Sequence, residues 1–544
     1  MRVAWGDAPK MFQQVYDPIA QSLGLSSIFA ALPLLTMFVM LGGFRLSPQL
    51  SGLCSLVVAM VVAIAVYGMP VPVAVNSALY GAAFSILPII LIIINAIWIH
   101  NMMVKSGYFD VLRRSFGVIS ADLRVQSIII AFCFGGLLEA LAGAGTPIAI
   151  AGVMMVAIGM DPLKAALCAL VADTAPVAFG ALGVPITTLS AVSGLPYDEL
   201  GAIIGRQTPI LAMFIPLILV WIVDGGRGLR QAWLPAMVAG VAYAVTQFVS
   251  SSWISVPLTD VLGALAGALA LVIFLQFWKP KETVECAIVS EGETSTVPFN
   301  SRSVTTAFLP YVAIIVIFTL SQIGPIAQAL SAGVSKFAWP GLSIVNPAGA
   351  AIGTSLSLPW LPGTATLLGV AGLFSMPFLK VSAGAAVETY GATLKQLRWA
   401  IPTVLCVLAV AFVMNFSGQT ITLGRWLATT GHAFAFLSPA IGWIGVAITG
   451  SDNSANALFG ALQVAAAHET GLSPSLLAAA NSSGGVLGKM ISPQSLTIGA
   501  AAVGIIGREG DIFRKTLPWS IVLTLVLCTI VYLQTTPMLA WMLP

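Results

Sequence analysis

The sequence predicts an all-α polytopic membrane protein with about twelve transmembrane helices plus two re-entrant hairpins, organised as an inverted repeat. Three observations carry this. Charge is scarce: 23 Lys+Arg and 20 Asp+Glu in 544 residues, or 8% of the chain, where soluble domains carry about 25%. Apolar residues (AVILMFWYC) make up 58%, mean hydropathy is +0.98, and the apolar residues fall in runs of spanning length. Small polar clusters interrupt those runs at matching places in the two halves. So few charges cannot dress a water-soluble surface on a chain this long. A soluble enzyme, a disordered protein and a nucleic-acid binder are excluded, and a net charge of +3 implies no acidic partner.

A spanning helix needs about 20 mostly apolar residues. Runs between polar breaks place spans at 25–44, 48–69, 84–104, 164–190, 200–224, 233–252, 257–278, 304–326, 361–379, 399–416, 473–503 and 516–540. Two apolar regions, 127–158 and 434–470, carry a polar, small-residue cluster at their middle: AGAGTP at 142–147 and TGSDNSAN at 449–456. Their arms suit half-helices, so each is read as a re-entrant hairpin. The basic loops at 105–124, 225–230, 380–398 and 508–515, with Arg45, then share one face, which is cytoplasmic by the positive-inside rule. Both termini are expected outside. The first hairpin opens inward and the second outward. Segment 1–24 lacks a basic n-region and a cleavage site and is read as an extracellular part of the mature chain. Segment 279–303 reads as a cytoplasmic linker, and 327–360 as extracellular, a lid or a partial re-entrant segment.

The halves echo each other. Asp173 to Pro185 matches Asn481 to Pro493, with Gly180 and Gly488 at the eighth position and Pro at the thirteenth; upstream, Gly159 and Pro162 match Gly471 and Pro474. This divides the chain into a first repeat at 25–232, a two-helix bridge with the linker at 233–303, and a second repeat at 304–544. Matching elements lie an odd number of crossings apart, so the copies are inverted. Inverted repeats with broken helices are a transporter signature.

Two tips and two breaks, at 173–183 and 481–493, converge near the midplane in this scheme. Half-helix N-termini there offer free N–H groups and a dipole that favour a small anion such as a carboxylate. Thr146, Thr174, Ser451, Asn453, Ser454, Asn481, Ser482 and Ser483 supply polar groups, and Gly143, Gly145, Gly484 and Gly485 let backbone approach a ligand. The competing reading of such glycines is close helix packing. Intramembrane charges are functional candidates. Glu139, Asp173 and Asp452 are candidate proton carriers, and Lys489 and Arg206 candidate partners of a substrate carboxylate. The alternatives are an internal ion pair, such as Asp173 with Lys489, and a snorkelling Arg206. The six cysteines form no CxxC, and His100, His432 and His468 sit at span ends. With no HExxH, Walker or GxSxG pattern, no metal, cofactor or enzymatic reaction is expected.

At these residues the sequence resembles the bacterial L-lactate permeases, which include glycolate permeases. The resemblance rests on FCFGGLLEALAGAGTPIAI (132–150), DTAPVAFGALGVPI (173–186), GRQTP (205–209), TGSDNSANALFGALQ (449–463) and ANSSGGVLGKMISPQS (480–495). It implies proton-coupled uptake of L-lactate and related short 2-hydroxymonocarboxylates, glycolate and D-lactate among them, across the bacterial inner membrane. It also implies a branch of the ion-transporter superfold, whose members work as elevators and are commonly homodimers. Sodium coupling, a larger hydroxy acid and a channel are the alternatives. Ala140 stands where the family pattern has Gly, Ala144 where it has Phe, and Asp173 where it has Asn. Losing a Phe makes room for a bulkier 2-hydroxy acid.

Overall fold

The computed structural model describes residues 11–544 except 45, 118, 142, 144, 281, 287–296 and 322. Arg45, Ala144 and the first ten residues, on which some expectations rest, lie outside the described residues.

Helices dominate. Among the described residues nine are long and apolar enough to cross a membrane, or ten if the pair 162–173 and 177–193, bent by 57°, is one span. The difference from twelve has identifiable causes. Residues Tyr197–Ile254 run as one 58-residue helical stretch, roughly 87 Å at 1.5 Å per residue, far beyond a bilayer core of about 30 Å. The basic segment expected as a loop at 225–230 is a kink inside it, where Gly225 takes φ 59° and Ala232 leaves helical geometry. Helix Val71–Ser85 passes through a wide π turn, Ile86–Ile90, into Leu91–Lys105. Its residues 71–83 lay outside the expected spans, and they carry the polar Asn76 and Ser77. Both are satisfied locally: Ser77 Oγ donates to Val73 O at 2.7 Å, and Asn76 Nδ2 donates to Pro340 O at 2.7 Å. The expected span 361–379 is the short helix Thr364–Ser375, and the expected loop after it contains helix Ala383–Gln396.

The strands among the described residues come from the start of the chain and from 334–359. Val334–Ala338 pairs antiparallel with Ser355–Pro359, and Phe12–Gln13 pairs in parallel with Ile344–Val345. Region 327–360 therefore contains a β-hairpin that clasps the N-terminal segment, rather than a re-entrant element.

Both tip regions fold as arm, turn, arm. The first consists of the helical stretch Leu123–Leu141 and helix Thr146–Ala157, packed side by side. The second joins Phe434–Thr449 to Asp452–Thr470 through Gly450 in the left-handed region (φ 75°). Its arms pair antiparallel: Ser438 Oγ donates to Gln463 Oε1 at 2.9 Å across them. Equivalent contacts recur in both halves. Helix Leu23–Phe38 packs on Gln419–Ala428, and Ser301–Ser321 packs on Tyr108–Gly117. Helix Gly180–Ser193 packs on the arm Asp452–Thr470, and Pro493–Ala502 packs on the arm Thr146–Ala157.

The bridge helices Ile215–Val249 and Thr259–Phe277 pack on the first hairpin. They help to make the window in arm 123–141 94% buried, against 39% for the second hairpin's first arm. A fully buried Arg124 ties the base of this assembly together. Its guanidinium contacts Asp122 at 2.7 Å, Asp224 at 3.1 Å and Gln231 at 2.7 Å, and donates to Glu282 O at 2.6 Å. The start of the linker is thereby docked onto the hairpin base.

Candidate functional site

Two broken helices and two hairpin tips meet in the core. Helix Pro162–Asp173 ends at Asp173, and the next stretch, Gly180–Ser193, opens with a left-handed break at Ala181 (φ 45°), Leu182 (φ 57°) and Gly183 (φ 78°) before it runs on as helix. Two non-glycine residues in that region carry backbone strain of order 1–3 kcal/mol each, a cost that proteins concentrate at functional sites. Helix Pro474–Lys489 ends at Lys489, and Pro493–Ala502 follows.

These ends bring three charges to one point. Lys489 Nζ donates to Glu139 Oε1 at 2.7 Å and lies 3.0 Å from Asp173 Oδ2. All three side chains are nearly inaccessible, at 7, 5 and 2% exposure. Lys489 also sits at a helix C-terminus, where the backbone dipole favours a cation. Two carboxylates around one ammonium leave a formal charge of −1, and Glu139 Oε2 and Asp173 Oδ1 have no hydrogen-bond partner. Gly180 lets Glu139 reach this point, since a Cβ there would lie 2.9 Å from Glu139 Oε1. The expected internal pair of Asp173 with Lys489 is thus a triad that includes Glu139.

Of the tip residues, Gly143 lies beside the triad, and the others have partners of their own. Gly143 faces Ala181 and Glu139, and Gly145 (φ 85°) caps helix Thr146–Ala157 against Ile498. Thr146 opens that helix. Thr174 donates to Val171 O at 2.7 Å, within its own helix end. At the second tip Gly450 packs on Gln494, and Ser451 caps the second arm by accepting from Ser454 N at 3.3 Å. Asp452 Oδ2 accepts from Ser482 Oγ at 2.6 Å and from Asn456 Nδ2 at 3.2 Å. Asn456 Nδ2 also reaches Pro185 O at 3.2 Å, Thr188 donates to Asn453, and Asn481 Nδ2 donates to Asn456 Oδ1 at 2.9 Å. The second tip is thereby bound to the first broken helix. Asp452 Oδ1 and Ser483 Oγ are buried without partners.

Two expectations change. Arg206 is not brought into this cluster: it donates to Ala202 O at 2.7 Å and Ser252 Oγ at 3.1 Å, and lies over the Phe248 ring. Its neighbour Gln207 is fully buried and donates to Gln534 Oε1 at 2.9 Å. Gly484 and Gly488 serve packing, as does Gly442 opposite them. A Cβ at any of the three would run into the backbone oxygen of Pro439, Trp443 or Asn481 respectively. A Cβ at Gly485 would instead collide with Asp452 Oδ1. Asn456, Gln463 and Thr188 were missed. The i, i+4 spacing of Asp452 and Asn456 on one helix face is the signal that could have found Asn456.

A cavity of about 810 Å³ opens beside the first broken helix. Thr187, Tyr197, Ser250–Ser252, Phe84, Pro359 and Thr364 are among the residues that line it. Glu139, Asp173 and Lys489 are not among its lining residues.

The family description "L-lactate permease" matches residues 26–537. The chain is 38% identical to the L-lactate permease of Escherichia coli K12, covering 98% of this chain and 100% of that one. It is 39% identical to the L-lactate permease of Bacillus subtilis 168, covering 98% and 99%. It is 38% identical to the glycolate permease GlcA of Escherichia coli K12, covering 96% and 97%. Solved structures are more distant. The Alcanivorax borkumensis YdaH transporter has a TM-score of 0.41 at 16% identity, covering 82% of this chain and 85% of that one. Neisseria gonorrhoeae MtrF has a TM-score of 0.46 at 13% identity, covering 85% and 83%. Neither likeness carries any part of the assignment. With nearly the whole length matched, this multi-pass membrane protein belongs to the L-lactate permease family.

Proposed function

We propose that the chain is a secondary carrier that takes up L-lactate and related short 2-hydroxymonocarboxylates, glycolate and D-lactate included, with one proton across the bacterial inner membrane. The family and the relatives' names support the substrate class. The observation that carries the coupling is the triad of Lys489, Glu139 and Asp173.

Its charge bookkeeping gives a mechanism. The empty, deprotonated triad has a formal charge of −1. An anion entering alone would make it −2 in a low-dielectric core, which is costly. Protonating Glu139 or Asp173 first returns the triad to neutral and frees one Lys489 donor for the substrate carboxylate. The loaded site then carries −1, the same as the empty one. Both forms can cross with equal electrostatic cost, and the anion alone cannot. The tip groups Ser451, Asn453, Ser454, Ser482 and Ser483, with Thr146 and the backbone of Gly143 and Gly145, complete the binding set. Arg206 is left out because its guanidinium is engaged elsewhere.

In this reading twelve spans and two re-entrant hairpins form inverted repeats, with both termini outside. The recurring contacts between opposite halves support it. The hairpins and broken helices move as an elevator against a scaffold that includes 25–104 and 304–416. The bridge travels with them, because it packs on the first hairpin. Labelled L-lactate uptake into proteoliposomes under an inward proton gradient tests the proposal. Sodium-independent accumulation that a protonophore abolishes is the expected result; sodium-dependent or gradient-blind uptake would overturn the coupling.

A further inference from the structure

The bridge contains a buried carboxyl that the mechanism above does not use. Asp260, in the first turn of helix Thr259–Phe277, is fully buried. Both of its donors land on one oxygen: Tyr243 Oη at 3.0 Å and Gln247 Nε2 at 3.2 Å from Oδ1. Oδ2 has no partner. None of the ion pairs among the described residues includes Asp260. A carboxylate buried with no cation is costly, and a proton on Oδ2 removes that cost. Intramembrane carboxyls of this kind default to a functional role.

Its position is specific. A Cβ at Gly136 would lie 3.5 Å from Ala264 Cβ, and one at Gly267 would lie 3.7 Å from Cys133 Sγ. Both pairs obey one antiparallel register between the bridge helix and the hairpin arm. Continued by one turn, that register sets Asp260 level with Ala140, the neighbour of Glu139. Gln247 Nε2 also donates to Ala175 O at 3.2 Å, two residues past Asp173. The titratable groups acting on Asp260 are Tyr243 on the partner bridge helix, Glu139 on the hairpin arm and Asp173 on the broken helix, while Cys133 of the hairpin arm acts on Tyr243. Ser255, Val256 and Pro257, three to five residues before Asp260, line the large cavity, and Ser255 Oγ is buried without a partner.

We propose that Asp260 is a proton relay between the cavity and the triad. Its Oδ2 proton passes to Glu139 Oε2 or Asp173 Oδ1, both unpartnered, and cavity water returns one proton to Asp260. One proton leaves the cavity and one arrives at the triad, so Asp260 ends each cycle unchanged. The inference rests on the proton-coupled reading above.

Asp260→Asn is a conservative test, because the amide keeps the Oδ1 acceptor for Tyr243 and Gln247 and puts an NH2 group, which cannot give up a proton as a carboxyl does, in place of the acidic O–H. Gradient-driven lactate uptake should fall roughly tenfold or more and lose its pH dependence. Exchange of labelled for unlabelled lactate at equal pH should stay within about twofold of the parent. Asp260→Glu should restore part of the gradient-driven rate. Uptake and exchange falling together would show a structural role and overturn the relay, as would unchanged uptake. Tyr243→Phe, which removes one Oδ1 donor, should shift the pH profile of uptake; an unmoved profile also counts against it. If the parent itself shows no proton coupling, the coupled reading fails. If the parent is coupled and Asp260→Asn behaves like it, only the relay fails.

Discussion

Replacing Lys489 by Gln tests whether the triad is an electrostatic unit. The two carboxylate oxygens it holds lie 2.7 and 3.0 Å from one nitrogen. Their separation cannot exceed those two distances laid end to end, about 5.7 Å. Two unit charges that close repel by roughly 3 kcal/mol or more at an effective dielectric of about 20. Removing one partner of a buried ion pair typically costs about 3–5 kcal/mol. Lys489→Gln should therefore lower the midpoint of thermal unfolding in detergent by several degrees and abolish uptake. The triple variant Lys489→Gln, Glu139→Gln, Asp173→Asn contains no charge at this point. It should recover most of the lost stability, since neutral replacement of a buried ion network is often tolerated, but it should not transport. A Lys489→Gln protein as stable as the parent and transporting at more than about a tenth of its rate would refute the reasoning, because a tenth corresponds to only about 1.4 kcal/mol.

Other outcomes follow from local packing. Gly484→Ala places a methyl against Pro439 O and should destabilise by about 1–3 kcal/mol, read by thermal unfolding. Arg206→Gln should change the KM for lactate by less than about threefold, because the side chain serves Ala202, Ser252 and Phe248 and such peripheral polar contacts contribute about 1 kcal/mol or less. Arg124→Ala leaves Asp122 and Asp224 without their shared cation. It should expose the linker, giving much faster cleavage after Glu282 and Glu285 by a glutamate-specific protease. Hydrogen bonding from Gln231 and the charge of Arg227 hold the Glu282 carboxyl below the ordinary glutamate range. Its share of linker docking is thus intact at neutral pH and is lost only as pH falls through that lowered value. Hydrogen exchange across 282–286 as a function of pH would show this.

The features legible in the sequence were those with a local signature. Hairpin tips and helix breaks announce themselves through Gly, Pro and hydroxyl clusters inside apolar runs. Charges at such breaks are rare enough to be noticed, which is why Glu139, Asp173, Asp452 and Lys489 were identified one by one. Their grouping was only partly legible. That Lys489 bonds Glu139, 350 positions away, depends on two helix ends meeting, and chain spacing does not encode that. Segment 71–83 lay outside the expected spans; its polar Asn76 is satisfied by Pro340, which lies in a distant hairpin. Arg206 drew attention as a charge in a motif, while the buried contact belongs to Gln207. Asp260 lay near an expected span end, where a carboxyl is unremarkable until the cavity and the hairpin arm enclose it.

The measurement that bears most directly on the central claim is charge and proton movement recorded together. Lactate is added outside proteoliposomes that hold a trapped pH dye, on an electrode that senses charge transfer. Because the empty and loaded triads carry the same charge, the account predicts that the lumen acidifies by one proton per lactate, with no lactate-induced current and no dependence on membrane potential. A current that accompanies uptake, or uptake without acidification, would contradict it.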